Sequence, residues 1–404
     1  MKAVMYGAGN IGRGFIGMLF SASGCEVIFV DVAEKVVKEL QEKKQYPLRY
    51  VASQGHQDVM IKPVTAINGN DMEMTANAIA ECDIMATAVG PRILKLIAPN
   101  LAAGIRRRMQ TSSKNLNIII CENLMDADRV LERMVKAELT KEEIEWFDGH
   151  VGLVEASIGR MVPIQTEEMK DGDPLRVCVE SYGFLPVDGA AFKGEVPDIK
   201  NMIPFEPFDF FIKRKLYVHN MGHAVCAYLG DVLELEYIYQ SIDRDEIYII
   251  VKNAMEESAA ALSSEYGVPL ENIMKHIMDL LYRFANTALK DTCRRVGRDP
   301  ERKLSPKDRL IGAACLAMDQ NVVPAYIAIG VAAGVRRYID ETASMQQNIV
   351  CAEDVLRNVS ELEIGSRLSK LILDMYQMML EGRGLGELRR AADGIKAACS
   401  ENVV

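Results

Sequence analysis

The first 31 residues constrain the fold of this chain more than any other segment. An apolar run over residues 2–6 leads into the turn Gly7-Ala-Gly9-Asn10-Ile11-Gly12, and a helical pattern then continues to Gly24. A second apolar run, residues 27–30, ends in Asp31. The order strand, glycine turn, helix, strand and acid is typical of a dinucleotide-binding βαβ unit. A glycine pattern alone would be weak evidence, whereas one in this order predicts a nucleotide-binding fold.

Each residue of this motif has a physical role in the predicted unit. Gly7 permits the tight turn, Gly9 lets the backbone approach a pyrophosphate, and Gly12 lets the helix pack closely on the strand. The N–H groups at the helix start would bind the phosphates. Asp31 would accept hydrogen bonds from the ribose hydroxyls and repel a 2′-phosphate, and the next two residues supply no arginine. NAD is therefore predicted as the cofactor instead of NADP.

Strand and helix patterns alternate through the first half of the chain. Apolar runs recur at residues 59–64, 84–89, 116–120 and 151–154, with helical stretches between them. Parallel strands joined by helices form a doubly wound sheet, and ligands bind beyond the carboxyl ends of its strands. An α/β fold of the Rossmann type is therefore predicted for residues 1–198.

Two loops at the predicted carboxyl ends of strands are candidates for the site. Thr87-Ala-Val89-Gly90 consists of small residues that would let the cofactor pass close to the backbone. Cys121-Glu-Asn123 places polar groups directly after an apolar strand, where nicotinamide and substrate would meet. Capping of the helix that follows would also explain Asn123.

The second half of the chain is predicted to be a separate, mostly α-helical domain. A length of 404 residues exceeds what one core usually supports, and a segment rich in glycine and proline near residues 195–205 suggests the boundary. Helical periodicity then continues through residues 199–404, including a pattern over 361–399. This domain is expected to close a cleft over the nucleotide.

Composition excludes several classes of function. The net charge of −10, without a strong basic patch, argues against nucleic-acid binding. The nine cysteines are scattered singly with no zinc spacing, which predicts no metal site and a reducing cytoplasm. No signal peptide is expected, and the longest apolar stretch, 322–335, is too short to span a membrane. We expect a small-molecule substrate and a monomer or homodimer.

The run Lys215-Leu-Tyr-Val-His-Asn220-Met-Gly-His223 is the candidate catalytic segment. In an α-helix, Asn220 and His223 are one turn apart, and Lys215 lies within an arc of about 140° of them. A lysine whose pKa is lowered by burial can take a proton from a hydroxyl, and an asparagine can donate to the developing alkoxide. Lys, Asn and His on a helix are more often solvated surface residues. The three residues are interpreted as catalytic here because the same chain carries the nucleotide motif.

The segment Arg294 to Lys303 interrupts the helical pattern with basic groups and turn residues. Arginine binds phosphate or carboxylate bidentately, so this segment is a candidate anion site. A solvated loop of ion pairs explains it equally well, because Asp291, Asp299 and Glu301 lie beside the basic residues.

In combination, these motifs resemble the polyol-specific long-chain dehydrogenases over most of the chain. The resemblance rests on Gly7-Ala-Gly-Asn-Ile-Gly-Arg-Gly-Phe-Ile16, Thr87-Ala-Val-Gly-Pro91, Cys121-Glu-Asn123, Arg214-Lys-Leu216 with Asn220 and Gly222-His223, Ala254-Met-Glu-Glu-Ser258, Arg295-Val-Gly-Arg298, Arg302-Lys-Leu304 and Asp308-Arg-Leu310. It implies a Rossmann domain, a helical domain and hydride transfer with NAD and without a metal. It further implies that Lys215 is the general acid/base, that Asn123 and Asn220 form an oxyanion site, and that His223 orients a substrate hydroxyl.

Two departures from the family pattern bear on the substrate. Gly159 stands where relatives carry the aspartate of Val-Asp-Arg, and Lys213 replaces an acid two residues before the lysine. Loss of an acid and gain of a base favour an anionic ligand, held by one or more of Arg160, Lys213, Arg298 and Arg302. The expected reaction interconverts mannitol 1-phosphate and fructose 6-phosphate. The alternatives are a hexuronate such as fructuronate or tagaturonate, a free polyol, or a sensor that binds NAD(H) without turnover.

Overall fold

The computed structural model describes residues 1–401, and this part of the chain divides into two compact units with their boundary between Phe208 and Asp209. The strands of the first unit are β1 Lys2–Tyr6, β2 Glu26–Asp31, β3 Tyr46–Ala52, β4 Gly55–Ile61, β5 Val64–Asn68, β6 Ile84–Thr87, β7 Leu116–Ile120, β8 Val151–Glu155, β9 Val177–Val179, β10 Leu185–Asp188 and β11 Met202–Phe205. Its helices are α1 Gly17–Ala22, α2 Glu34–Lys43, α3 Met72–Glu81, α4 Leu94–Thr111, α5 Ala127–Lys136, α6 Lys141–His150 and α7 Glu167–Lys170.

A parallel sheet in the order β5-β2-β1-β6-β7-β8 forms the centre of the first unit. Its strands consist largely of apolar residues, as expected for a parallel sheet that is buried on both faces. Alternate residues of β1 belong to different cores: Met5 packs in one cluster with Phe15, and Val4 in the other with Leu101. This confirms the predicted doubly wound sheet.

The order of the strands reverses beside β1, which pairs with β2 on one side and with β6 on the other. In doubly wound sheets, ligands bind at this switch point, beyond the carboxyl ends of the strands. The loops there lie close together, because Ala88 N donates to Tyr6 O at 2.9 Å and Cys121 N donates to Thr87 O at 2.9 Å. The predicted loop residues of the first unit therefore share one edge of the sheet.

The prediction of a single strand over residues 59–64 is wrong. Ile61 ends β4, which pairs antiparallel with β3, whereas Val64 begins β5 in the main sheet. Pro63 lies between the two strands and has no N–H for a sheet hydrogen bond. The apolar run therefore contributes to two different sheets.

The second unit is mostly helical, as predicted. Its helices are α8 Asp209–Arg214, α9 Met221–Val232, α10 Ile238–Ile242, α11 Asp245–Tyr266, α12 Leu270–Phe284, α13 Cys293–Val296, α14 Pro300–Lys303, α15 Ile311–Asp319, α16 Ala325–Glu341, α17 Ile349–Asn358, α18 Arg367–Leu380 and α19 Leu385–Glu401, with a 3₁₀ turn at Thr287–Leu289. Helix α9 packs against α10, α11, α13 and α16. Its contact with α16 is close: a Cβ on Gly330 would lie 2.3 Å from a methyl of Val225.

The helical pattern over residues 361–399 is divided between α18 and α19. Gly382 lies between them with φ +73°, a left-handed conformation that commonly ends a helix. Among residues 1–401, the structure contains no helix long and apolar enough to cross a bilayer.

Candidate functional site

The glycine turn after β1 can be made only by residues without side chains at two of its positions. Gly7 has φ +103°, and a Cβ there would lie 2.5 Å from the carbonyl oxygen of Ala88. A Cβ on Gly12 would lie 1.8 Å from the carbonyl oxygen of Gly7. Gly12 thus permits the helix to start directly over the turn. A Cβ at this position would lie closer to Gly7, in the turn, than to Met5, in β1.

The space at the start of the following helix fits a pyrophosphate. Gly9 and Asn10 are exposed, Ile11 is half-buried, and a Cβ on Gly9 would meet no atom within 4 Å. The helix begins at Asn10 and Ile11 and passes through a π-helical turn, Gly12–Ile16, before it continues as α1. Unpaired N–H groups at a helix start bind phosphate. The exposed backbone beside Gly9 therefore leaves room for the cofactor phosphates.

Asp31, at the end of β2, braces the same turn. Its Oδ2 accepts a hydrogen bond from Ala8 N at 2.6 Å, and its Oδ1 accepts one from Ala33 N at 2.9 Å. A carboxylate has about four lone-pair sites, so it can also accept from ribose hydroxyls. The residues present fit NAD in this part of the unit.

Glu122 holds the loop after β6, a role that the sequence motifs do not predict. Its two carboxylate oxygens accept hydrogen bonds from Val89 N at 3.0 Å and Gly90 N at 2.8 Å. Glu122 is buried, Thr87 is buried at the end of β6, and Gly90 has φ +92°. The position of an acid directly after an apolar strand is the one feature of the sequence that indicates a role for Glu122. The sequence does not reveal its partners, because they lie more than thirty residues earlier in the chain.

Asn123 is exposed at the carboxyl end of β7, and the interpretation of Asn123 as a helix cap is wrong. Helix α5 begins at Ala127, and Asp126 occupies the cap position. Ala127 N instead donates to Glu155 at 2.9 Å. Burial and the charge of Asp128 raise the pKa of the Glu155 carboxyl to about 7. The side chain of Asn123 therefore does not serve to start α5.

The segment Lys215–Asn220 forms a π-helical turn between α8 and α9. Met221 N donates to Leu216 O, five residues back, as π-helical hydrogen bonding requires. The arc of about 140° between Lys215 and Asn220 applies to an α-helix, and the π-helical turn makes their angular separation smaller. Because a π-helix has more residues per turn than an α-helix, Lys215 and Asn220 lie on the same side of this turn. Both side chains are half-buried.

His223, on the first turn of α9, stacks on an aromatic ring and lies near a carboxylate. Its imidazole stacks on Phe284 with ring centroids 4.8 Å apart and an interplanar angle of 13°. Its Nε2 lies 3.7 Å from Asp291 Oδ2, and Arg295 holds the Asp291 carboxylate with contacts of 2.6 and 2.5 Å. Burial lowers the pKa of His223 to about 4, although Asp291 alone would raise it.

The four basic residues predicted to bind an anion have different surroundings. Arg160 is buried, and its guanidinium donates to the carbonyl oxygens of Gly14, at 2.8 Å, and Tyr182. Lys213 Nζ lies 3.3 Å from Asp209 and 3.8 Å from Glu265. Burial lowers the pKa of Lys213, but its contacts with Tyr266 and Asp209 outweigh burial and raise the pKa above its ordinary value.

The other two predicted anion ligands, Arg298 and Arg302, lie in the segment 294–303, where several side chains form ion pairs with acidic residues of the same unit. Arg302 contacts Asp299 at 2.6 Å and Asp308 at 2.9 Å. Lys303 is buried, donates to Val296 O and Arg298 O, and has its pKa lowered by burial to about 7. Arg298 is exposed, and its side chain forms no ion pair with any residue that the structure describes.

Comparison with known proteins identifies relatives of both units. The model of the mannitol dehydrogenase Rossmann domain matches residues 1–201, and that of the mannitol dehydrogenase C-terminal domain matches residues 208–374. A mannitol-1-phosphate 5-dehydrogenase from Brevibacillus brevis is 36% identical over 389 residues, covering 95% of this chain and 100% of the relative. The enzyme of the same name from Bacillus licheniformis is 38% identical over 379 residues, covering 92% and 99%.

Solved structures share the fold at much lower sequence identity. A substrate-free D-sorbitol dehydrogenase has a TM-score of 0.78 at 14% identity, covering 94% of this chain and 93% of that one. The Pseudomonas fluorescens mannitol 2-dehydrogenase, solved with NAD and D-mannitol, has a TM-score of 0.75 at 14% identity, covering 97% and 94%. These structures support the same architecture for both units.

We predict that His223 stays neutral down to about pH 5, because burial lowers its pKa to about 4. Since this value lies below the ordinary one near 6.5, the stability from neutral His223 is full above pH 6.5 and is lost as the pH falls toward 4. NMR of ¹³C-labelled histidine Cε1 signals between pH 8 and 5 measures this, with His223→Asn as the assignment control. A His223 signal with a midpoint near 6.5 would contradict the prediction.

We also predict that Glu122→Gln raises the Kd for NADH about tenfold, or about 1.4 kcal/mol, because an amide group would face the N–H of Val89 or Gly90. NADH fluorescence measures Kd without turnover. Glu155→Gln is the matched control. Like Glu122, Glu155 lies at a strand end and accepts a hydrogen bond from a main-chain N–H, but its donor is Ala127, at the start of α5. Equal values of Kd for Glu122→Gln and the wild type would show that NADH binding does not depend on the hydrogen bonds from Val89 and Gly90 to Glu122.

Proposed function

This chain belongs to the mannitol dehydrogenase family, and we propose that it interconverts mannitol 1-phosphate and fructose 6-phosphate with NAD. The resemblance inferred from the sequence motifs is thereby confirmed at the level of the family. The proposal is carried by relatives named for this reaction that align over almost the whole of both chains. The nucleotide turn, with Asp31 and open space beside Gly9, supports NAD as the cofactor.

We assign the proton transfer to Lys215. NADH supplies the hydride to the ketose carbonyl carbon in one direction, and NAD⁺ accepts it in the other. During reduction, the Lys215 ammonium donates a proton to the carbonyl oxygen; during oxidation, its neutral amine accepts the proton of the hydroxyl. The π-helical turn supports this role, because it aligns the amine with an amide donor, Asn220, on one face. π-Helical turns are rare and occur frequently at functional sites.

We assign stabilisation of the negative oxygen to the amide groups of Asn220 and Asn123. A side-chain amide is a neutral hydrogen-bond donor that need not change its protonation state as charge develops. Asn123 lies at the carboxyl end of β7, beside the loop that Glu122 holds, and it is exposed. Since capping does not account for Asn123, a role toward a ligand gains support.

We assign to His223 the orientation of a substrate hydroxyl. A neutral imidazole offers one donor and one acceptor nitrogen, which suits a hydroxyl group. Stacking on Phe284 restricts the orientation of the ring, and the Asp291 carboxylate lies 3.7 Å from its Nε2. Because the pKa of His223 is lowered to about 4, it does not compete with Lys215 as the proton donor at neutral pH.

Among the four predicted anion ligands, we favour Arg298 for the substrate phosphate. Arg160, Lys213 and Arg302 all have carbonyl or carboxylate partners within their own unit. Arg298 is exposed, and its backbone carbonyl is fixed by buried Lys303. It lies three residues after Arg295, which holds the carboxylate beside His223. A guanidinium at this position can bind phosphate bidentately.

A reducing cytoplasm is the compartment that we propose. Within the part of the chain that the structure describes, the nine cysteines form no disulfide, and six of them are buried. Free thiols persist where glutathione and thioredoxin keep them reduced.

We predict that Lys215→Ala lowers kcat for fructose 6-phosphate reduction by at least about a hundredfold, because general acid catalysis contributes about 10²–10⁴. NADH binding should remain within about twofold of the wild type, measured by fluorescence. Lys252→Ala is the control, since Lys252 pairs with Glu256 on α11. Near-normal turnover of Lys215→Ala would reject the assignment of the proton donor.

We predict that Arg298→Ala raises KM for fructose 6-phosphate about tenfold, since it removes one charge-assisted contact. The kcat/KM for unphosphorylated fructose should not change. Arg294→Ala is the matched control, because Arg294 is an exposed arginine of the same segment. An equal effect on both substrates, or on both variants, would exclude Arg298 as the phosphate ligand.

Wild-type rates with fructose 6-phosphate, fructose and fructuronate test the substrate itself. The highest kcat/KM is expected for fructose 6-phosphate. A preference for fructuronate or fructose would replace the proposed substrate and keep the chemistry. NADH binding without reduction of any ketose would support the sensor instead.

A further inference from the structure

The π-helical turn at the start of the nucleotide helix is supported by side chains from distant parts of the first unit. Within this turn, Gly17 N donates to Gly12 O, five residues back. The next two carbonyl oxygens receive side-chain donors: Tyr46 Oη donates to Arg13 O at 2.6 Å, and Arg160 Nη1 donates to Gly14 O at 2.8 Å. These donors come from β3 and from the segment after β8.

Arg160 makes several contacts with this turn and with the segments beside it. Its side chain is buried, and its Nε donates to Tyr182 O. The guanidinium carbon lies 4.6 Å from the ring centroid of Phe15, within the turn, and 5.8 Å from that of Tyr50. One charged group therefore contacts a carbonyl and an aromatic ring of the same turn, an arrangement that fixes the turn from the side.

Arg13 connects the same turn to the glycine loop. Its Nε donates to Ala8 O at 2.6 Å, and its Nη1 donates to Leu175 O. Ala8 N is in turn held by Asp31. The backbone on both sides of Gly9 and Asn10 is thus tied to buried side chains, while Gly9 and Asn10 themselves are exposed.

We propose that Arg160 is a positioning residue for the cofactor pyrophosphate, acting through the Gly14 carbonyl and the π-helical turn, and is not a ligand of the substrate phosphate. A helix start binds phosphate through N–H groups whose directions are set by the local backbone. Removal of the Arg160 donor takes this side-chain hydrogen bond away from the buried Gly14 carbonyl and lets the turn change its hydrogen bonding, which redirects those N–H groups. The proposal depends on the NAD site and not on the identity of the sugar substrate.

A matched pair of buried arginines tests this proposal. Arg160→Met keeps an unbranched apolar side chain and removes the donor to Gly14 O. Arg108→Met is the control: Arg108 is also buried and donates to the carbonyl oxygens of Ala80 and Cys82, at 2.9 and 2.8 Å, near the amino end of β6. Both variants lose guanidinium–carbonyl contacts, but only Arg160 contacts the nucleotide turn.

The Kd for NADH, measured by fluorescence on the full chain, should rise about tenfold in Arg160→Met, which corresponds to about 1.4 kcal/mol. Arg108→Met should lower the melting temperature and leave this Kd within about twofold of the wild type. Arg160→Lys, which retains one donor, should give an intermediate Kd. At saturating NADH, KM for fructose 6-phosphate should be unchanged in Arg160→Met.

Two results would overturn the proposal. One is a raised KM for fructose 6-phosphate in Arg160→Met with an unchanged Kd for NADH, which would make Arg160 a substrate ligand. The other is the same Kd change in both Met variants, which would indicate general destabilisation.

If Arg160→Met does not fold, Tyr46→Phe tests whether side-chain donors to the π-helical turn affect NADH binding. It removes only the hydroxyl that donates to Arg13 O, and it should raise the Kd for NADH about threefold. An unchanged Kd in this variant would also overturn the proposed support of the turn. Failure of the wild type to reduce fructose 6-phosphate would contradict the proposed substrate and leave the NADH comparison valid.

Discussion

The close approach of Gly12 to the carbonyl oxygen of Gly7 is the constraint on which the nucleotide-binding unit depends. Because a side chain at position 12 would lie 1.8 Å from that oxygen, the helix starts over the turn only with glycine there. This arrangement leaves the backbone of Gly9 and Asn10 exposed at the carboxyl edge of the sheet. Asp31 then fixes the turn from the neighbouring strand, so that one acid both braces the turn and remains able to bind ribose.

Both segments that carry the proposed chemistry include a π-helical turn, Gly12–Ile16 in the first unit and Lys215–Asn220 in the second. Such a turn is less regular than an α-helix and depends on contacts from outside. In the first unit, hydrogen-bond donors of Tyr46 and Arg160 supply these contacts. In the second, Tyr217 packs on Gly312, where a Cβ would lie 2.7 Å from the tyrosine hydroxyl. Neighbouring elements thus support each widened turn.

Burial controls the charge of the polar groups near the candidate site residues. It keeps His223 neutral near pH 7, so this residue can orient a hydroxyl without taking up a proton. Buried Lys303, whose pKa is lowered to about 7, donates to backbone carbonyls of the segment that carries Arg298. Buried polar groups such as Lys303 and Glu122 therefore hold loops in place within each unit.

The sequence by itself determined the fold class and the nucleotide turn, because glycine spacing and apolar periodicity are local properties of the chain, and it also indicated Lys215, Asn220 and His223 as candidates. Only the tertiary structure decided what distant residues do. The sequence indicates Arg160 as one of four candidate ligands of the substrate anion, yet its guanidinium donates to the carbonyl oxygen of Gly14, 146 residues earlier. Glu122 binds a loop 32 and 33 residues before it, and the turn at Lys215 is π-helical instead of α-helical. Local spacing determines which side chains share a face, whereas the partners of a buried polar group are determined by the packing of segments far apart in sequence.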